Sequence, residues 1–389
     1  MNKRLYLFFL FAIAILLFAL ERDLMFSDDI VGRGIVSIAF IVGSLLLLSI
    51  IAVLLSKQPV MINRLSRRFS YLWLYICLYF IINSLDYSTG SRNLYGLIPL
   101  PLFMLYFGSI TSRYFKSDNV IIWTITIVVL LLAYYYLNNY YKNELFIVEN
   151  TSSGAYAILY LLPFLLCHKK VVFQISSILL TLLIIMLSLK RGGFLALLAA
   201  VVVFLLITQI GIKKQRFNIK RLLLLIVLPL GLYALILYLN ESVLEGLLFS
   251  RFENDETGSG RTYIYQQYWM LLWDSSPSQL IIGHGWMGSI RDSGIEFTCH
   301  NDFLEAIIDF GIIGFLFYIL LYIELIKFCK RMVQNNNIYA PAMGASIALF
   351  FVNSMVSHIL IYPKFLVLFT FFWGFMVSTT RSVTNLKQE

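Results

Sequence analysis

Apolar runs near the ~20 residues needed to cross a bilayer as a helix recur along the chain, and most are separated by only a few polar residues. They fall at about 5–20, 33–56, 69–85, 94–111, 119–137, 153–167, 171–189, 192–212, 222–240, 303–326, 338–361 and 364–380. In lipid every backbone N–H and C=O needs an internal partner, so runs of this kind fold as helices. The pattern therefore predicts an all-α polytopic membrane protein with about twelve transmembrane helices, organised as one transmembrane domain over residues 1–389. Composition agrees: only 13% of the residues are charged, against about a quarter in a soluble domain.

Charge sets the expected orientation. With both termini in the cytoplasm, the inner segments hold Lys3/Arg4, Lys57/Arg64/Arg67/Arg68, Arg113/Lys116, Lys169/Lys170, Lys213 to Arg221, Lys327/Lys330/Arg331 and Arg381/Lys387. Basic residues collect on that side of a membrane. The net charge of +9 is thus accounted for by topology and does not point to nucleic acid. Met1-Asn-Lys-Arg4 followed by Leu5–Leu20 has the outline of a signal peptide. It lacks a small-residue cleavage site and runs into Glu21-Arg22-Asp23, which favours a retained first span. The four cysteines form no CxxC pair, so neither a disulfide framework nor a zinc site is expected.

One long polar stretch, residues 241–302, interrupts the pattern between the ninth and tenth spans. The same charge rule puts it outside the cytoplasm. It carries Arg251, Glu253, Asp255, Arg261, His284, Arg291 and His300. Within it, Thr262–Trp273 has helical spacing and reads as a surface helix resting on the membrane or on the other helices, with Ser259 as a candidate cap. Pro277 ends that helix, and Ile282-Gly-His-Gly-Trp286 reads as a tight turn. The Glu253-Asn-Asp255 group resembles a metal cluster only weakly, and no metal or other cofactor is expected.

The residues that depart from the charge rule are the candidates for chemistry. Lys190 and Arg191 lie at the outer end of a span, directly before Gly192-Gly193. They are either two cations reaching to the interface or an anion site, where glycine admits a ligand close to the backbone. Arg261 opens the surface helix, where the dipole favours an anion rather than a cation. A bound phosphate shared with the helix amides would account for it; a solvated loop arginine is the alternative. Asp302, Glu305 and Asp309 share one helical face at the start of the tenth span, which is costly unless the face is wet or paired. His300 precedes that helix, where a neutral imidazole is favoured and can act as a general base. A capping or packing role for His300 is the competing interpretation. His168 reads as an inner boundary residue, His284 as a turn residue and His358 as a position near the outer end of a late span.

Four motifs in order resemble the O-antigen polymerase and O-antigen ligase superfamily of bacterial membrane glycosyltransferases. They are Ser188-Leu-Lys-Arg-Gly-Gly193, Arg251-Phe to Gly258-Ser-Gly-Arg261, Gly283-His-Gly285, and His300-Asn-Asp-Phe-Leu-Glu305 followed by Gly311-Ile-Ile-Gly314. They cover about residues 150–325. Lys190 stands where a small polar residue is commoner. The resemblance implies a GT-C-like fold in the bacterial inner membrane with a periplasmic active site. It also implies an undecaprenyl diphosphate-linked oligosaccharide donor, a glycan acceptor, and a chain-length regulator as a further candidate partner. It places Arg191 and Arg261 on the donor diphosphate and His300 at the acceptor; with Glu305 these are the expected catalytic residues, and Lys190, Arg251, Asn301, Gly192, Gly260 and His284 are the expected substrate-binding ones. Polymerase and ligase share these residues and differ in acceptor; the polymerase reading is preferred. A twelve-helix transporter fits the topology too, but would place its ionisable residues near the midplane in paired halves.

Overall fold

The computed structural model describes residues 63–83, 100–115, 118–142, 153–188, 190–212, 261–295, 298–360 and 363–385, with the single positions Gly231, Ala234 and Tyr238. Those residues are helical and contain no strand. Their helices are α1 (Arg64–Asn83), α2 (Leu100–Phe115), α3 (Asp118–Lys142), α4 (Ser153–Leu166), α5 (Val171–Leu187) and α6 (Arg191–Leu206), which runs on as a π-turn over Ile207–Ile212. Three helices of the long loop follow: α7 (Arg261–Asp274), α8 (Pro277–Ile282) and α9 (Gly288–Asp292). The last three are α10 (Asp302–Gln334), α11 (Ala340–Val356) and α12 (Pro363–Asn385). Among the described residues Asp118–Asn138, Arg191–Gln209 and Asp302–Gln334 are long and apolar enough to cross a membrane. The expected spans at 5–20 and 33–56, and most of that at 222–240, lie outside the described residues. So do Arg251, the Glu253–Asp255 group, Ser259 and Gly260.

The chain divides into two compact units, residues 1–184 with 362–389, and residues 185–361. In the first unit α2 and α12 cross at Gly108 and Gly374. A Cβ on either glycine would strike the other helix's backbone, so small residues set how closely the two approach. Beside this crossing, Phe164 of α4 packs among Phe371, Phe372 and Phe375 of α12. His168 is buried, with Nε2 2.8 Å from the Thr126 hydroxyl and its ring against Trp123 and Phe173. The boundary residue of the sequence reading is thus a packed link between α3 and the α4–α5 turn.

The second unit holds every described candidate of the site, and its framework is α10. At 33 residues an unbroken α10 would be about 50 Å long, well beyond the ~30 Å hydrocarbon core. It is broken at Gly311, whose φ of 66° and ψ of −173° are not helical. The break leaves the carbonyls of Ile308 and Asp309 without their helical donors. They accept instead from His284 N (2.8 Å) and Gly285 N (3.0 Å). The turn at Gly283 lies against the break so closely that a Cβ on Gly283 would overlap the Asp309 carbonyl, and one on Gly311 the Ile281 carbonyl. Both glycines have positive φ, so shape and conformation impose the same requirement. The expected turn at 282–286 is therefore a backbone dock for the loop on α10.

Replacing Gly283 or Gly311 by alanine is expected to destabilise the protein by roughly 2–5 kcal/mol, combining strained φ with overpacking. Gly294 also has positive φ, but a Cβ there meets nothing within 4 Å, so Gly294→Ala should cost only about 1–2 kcal/mol. Denaturation of the three purified variants in detergent would check the order.

Candidate functional site

The surface helix is seated by its apolar stripe. Ile264 and Tyr268 of α7 pack with Cys299 and Ile308, flanked by Tyr265, Leu272 and Leu304. Arg261 is the first residue of α7 and lies on that same face, three, four and seven residues before Ile264, Tyr265 and Tyr268. The stripe that anchors the helix therefore also aims Arg261 toward the head of α10. Tyr265, on the same stripe, lies near the Asn301 side chain. On the opposite face Tyr263, Trp269, Met270 and Trp273 are exposed.

At the head of α10, Asn301 caps the helix, its Oδ1 accepting from Phe303 N (3.0 Å) and Leu304 N (3.2 Å). His300 just before it has a φ of 54°. That left-handed conformation is uncommon outside glycine, though histidine is among the residues that adopt it more readily. The imidazole is half-buried, and burial together with the positive charges of Arg261 and Lys190 pushes its pKa down to about 4. Three separate elements thus converge here: the head of α6 with Lys190, the head of α7 with Arg261, and the α10 cap with His300.

Lys190 is the N-cap position of α6, and no side chain caps that helix. Arg191, Gly192 and Gly193 form its first turn. Of the two adjacent cations, the one whose charge acts on His300 is Lys190; Arg191 begins the helix beside it.

The acidic face of α10 is as spaced in the sequence, and Asp302, Glu305 and Asp309 are all fully buried. Their surroundings differ. Asp302 accepts from Ile359 N (2.9 Å), Leu360 N (3.0 Å) and the Tyr318 hydroxyl (3.1 Å). Asp309 accepts from Ser289 N at 2.7 Å, at the start of α9. Glu305 lies near the backbone amides of Cys299 and His300, yet neither of its oxygens closes a hydrogen bond among the described residues. Two of the acids hold loops in place, and the third sits unsatisfied beneath His300.

His284 is enclosed within the loop. Its Nε2 is 2.7 Å from Ser275 Oγ and its Nδ1 2.9 Å from Asp292 Oδ2. Arg291 donates to the His284 carbonyl at 2.8 Å and to Asp292. Both ring nitrogens are engaged in closing the turn that docks on Gly311.

A second histidine, which sequence reading left unassigned, completes the site. The His358 ring centroid is 4.7 Å from that of His300, with the planes inclined by 35°. Burial, then the proximity of His300, Lys190 and Arg261, lowers its pKa to about 3. No local pattern marks it, because the contact joins residues far apart in sequence through α11. Both histidines are thus neutral in the folded protein across a range where an unfolded chain would bind protons below pH ~6.5. Their contribution to stability is complete above pH ~6.5 and lost as pH falls toward 4. We expect the melting temperature to drop further between pH 7.5 and 5 in the wild type than in His358→Phe, measured in the same detergent.

Comparison with curated proteins gives no match. Residues 176–319, the stretch that carries Lys190, Arg261, His300 and Glu305, match the family model described as O-antigen ligase.

Proposed function

We propose that this protein is a surface-polysaccharide polymerase, O-antigen or related, that joins undecaprenyl diphosphate-linked repeat units at the periplasmic face of the inner membrane. In this reading about twelve spans form a GT-C-like domain with both termini in the cytoplasm, and a chain-length regulator is a candidate partner. The observation that carries the reading is the flanking of one neutral histidine by two cations from separate helix starts. Such an arrangement suits an anionic leaving group and a hydroxyl nucleophile together.

The diphosphate of the donor would lie between Lys190 and Arg261, aided by Arg191 and the positive end of the α6 dipole, where Gly192 leaves room for an oxygen. Arg251 and Gly260 would extend that contact from the lead-in to α7. As the bond from C1 to the diphosphate oxygen breaks, negative charge grows on that oxygen, and fixed cations stabilise it best where water is scarce. The acceptor hydroxyl forms the new bond to C1 from the opposite face, inverting the centre, and gives its proton to His300. Cationic side chains do here what a metal ion does elsewhere, so the step is proposed as metal-independent. Asn301 holds the cap that carries His300, and Glu305 supports it from below. His284 contributes to binding by shaping the loop.

The donor also adjusts the base. Burial, and after it the charges of Arg261 and Lys190, depress the His300 pKa; a bound diphosphate neutralises the two cations and so returns part of the basicity to the imidazole once the donor is in place. Donor binding would thus precede activation of the acceptor.

The matched family is described as O-antigen ligase, which favours one second reading, transfer of the glycan to the lipid A core by the same residues. The two are separated by the phenotype of a deletion strain. Loss of the polymerase leaves lipopolysaccharide carrying a single repeat, whereas loss of a ligase leaves lipid-linked polymer with no O-antigen on lipopolysaccharide. With purified protein and lipid-linked donor, His300→Ala should lower transfer by ~10²–10⁴-fold while donor binding is retained. Lys190→Ala and Arg261→Ala should weaken binding of undecaprenyl diphosphate. Wild-type transfer by His300→Ala would remove the base, and unchanged lipid binding in both cation variants would remove the anion site.

A further inference from the structure

The stretch Thr298–Asp302 grips the segment after α11 at two points. Thr298 Oγ1 is 3.1 Å from His358 Nδ1. Four residues later, Asp302 Oδ1 accepts from the next two amides of that segment, Ile359 N and Leu360 N. Asp302 is itself held by the Tyr318 hydroxyl at 3.1 Å, and Tyr318 and Tyr322 both meet Ser354 Oγ at 2.8 Å in the last turn of α11. His300 lies between the two grips, and there its ring meets that of His358. His300 also has left-handed backbone geometry, so its ring direction is not set by a helix and needs support from outside the cap.

We propose that His358 is a positioning residue of the site: clamped by Thr298 and Asp302, it packs its tilted ring against the His300 imidazole, fixes its direction and shields it from water. His358 lies outside the matched residues 176–319. The rings meet at 4.7 Å with their planes tilted by 35°, and His358 Nδ1 is engaged by Thr298, so His358 is assigned to orienting the base rather than to taking its proton. The charged and titratable groups around His300 are Lys190 from the head of α6, Arg261 from the head of α7, Glu305 from α10 and His358 from beyond α11. Removing His358 hydrates the ring while leaving both cations in place. This deepens the transfer reading and rests on it only where activity is measured.

The test uses the purified full chain in detergent, with His300 carbethoxylation by diethylpyrocarbonate followed by peptide mass spectrometry between pH 4 and 8. Transfer from a lipid-linked donor is measured in parallel. In His358→Ala, His300 should label several-fold faster at neutral pH, with its half-reactive pH moved upward toward ~6.5, and transfer should fall ~10-fold or more. His358→Phe keeps an aromatic ring against His300 and should stay close to wild type in both readouts. Thr298→Val removes the partner of Nδ1 alone and should shift labelling in the same direction by less, which keeps the test available if His358→Ala does not fold. The inference is overturned if His358→Ala labels with wild-type rate and midpoint, or if His358→Phe is as impaired as His358→Ala. Labelling shifts as expected in a protein that transfers no glycan would uphold the ring packing and sink the transfer reading. Unchanged labelling in a protein that transfers normally would do the reverse.

Discussion

The break of α10 at Gly311 is the constraint on which the second unit depends. An uninterrupted helix would use the Ile308 and Asp309 carbonyls internally. The break gives them to the amides of His284 and Gly285 instead. That exchange satisfies backbone groups that would otherwise be costly to bury, and it fixes the Gly283 turn on α10. Asp309 then holds the start of α9, His284 closes the turn against Ser275 and Asp292, and α7 seats its stripe on Cys299 and Ile308. The position of Arg261 follows from these steps.

The nine residues of α10 before the break work as a hub rather than as part of a span. Asn301 caps the helix, Asp302 reaches across to the segment after α11, and Asp309 reaches back into the loop. Only Glu305 lacks hydrogen bonds, directly under the histidine. The three acids that looked alike in the sequence thus divide into two that hold loops in place and one, Glu305, whose oxygens close no hydrogen bond among the described residues.

Much of this was legible in the sequence, and the reasons are local. The helix at 262–273 has apolar spacing, Pro277 ends it, and Gly283-His-Gly285 announces a turn; the structure contains all three, with α7 spanning Arg261–Asp274. The buried face of Asp302, Glu305 and Asp309 follows from helical spacing alone. What sequence could not show is tertiary. His358 meets His300 only because α10 and α11 bring distant segments together. Gly311 reads as an ordinary helix glycine until the loop that replaces its hydrogen bonds is in view. Lys190 and Arg261 act together on His300 although a long stretch of chain separates them.

The central claim is that Lys190, Arg261 and His300 act as one site, in which an anionic lipid diphosphate tunes the base. It is tested most directly by titrating His300 in histidine-labelled protein by NMR, with and without undecaprenyl diphosphate. The expected result is a midpoint near 4 without the lipid that moves upward when the lipid is bound and neutralises the two cations, and that stops responding to it in a Lys190→Ala/Arg261→Ala variant. An unchanged His300 midpoint in protein saturated with the lipid would contradict the account.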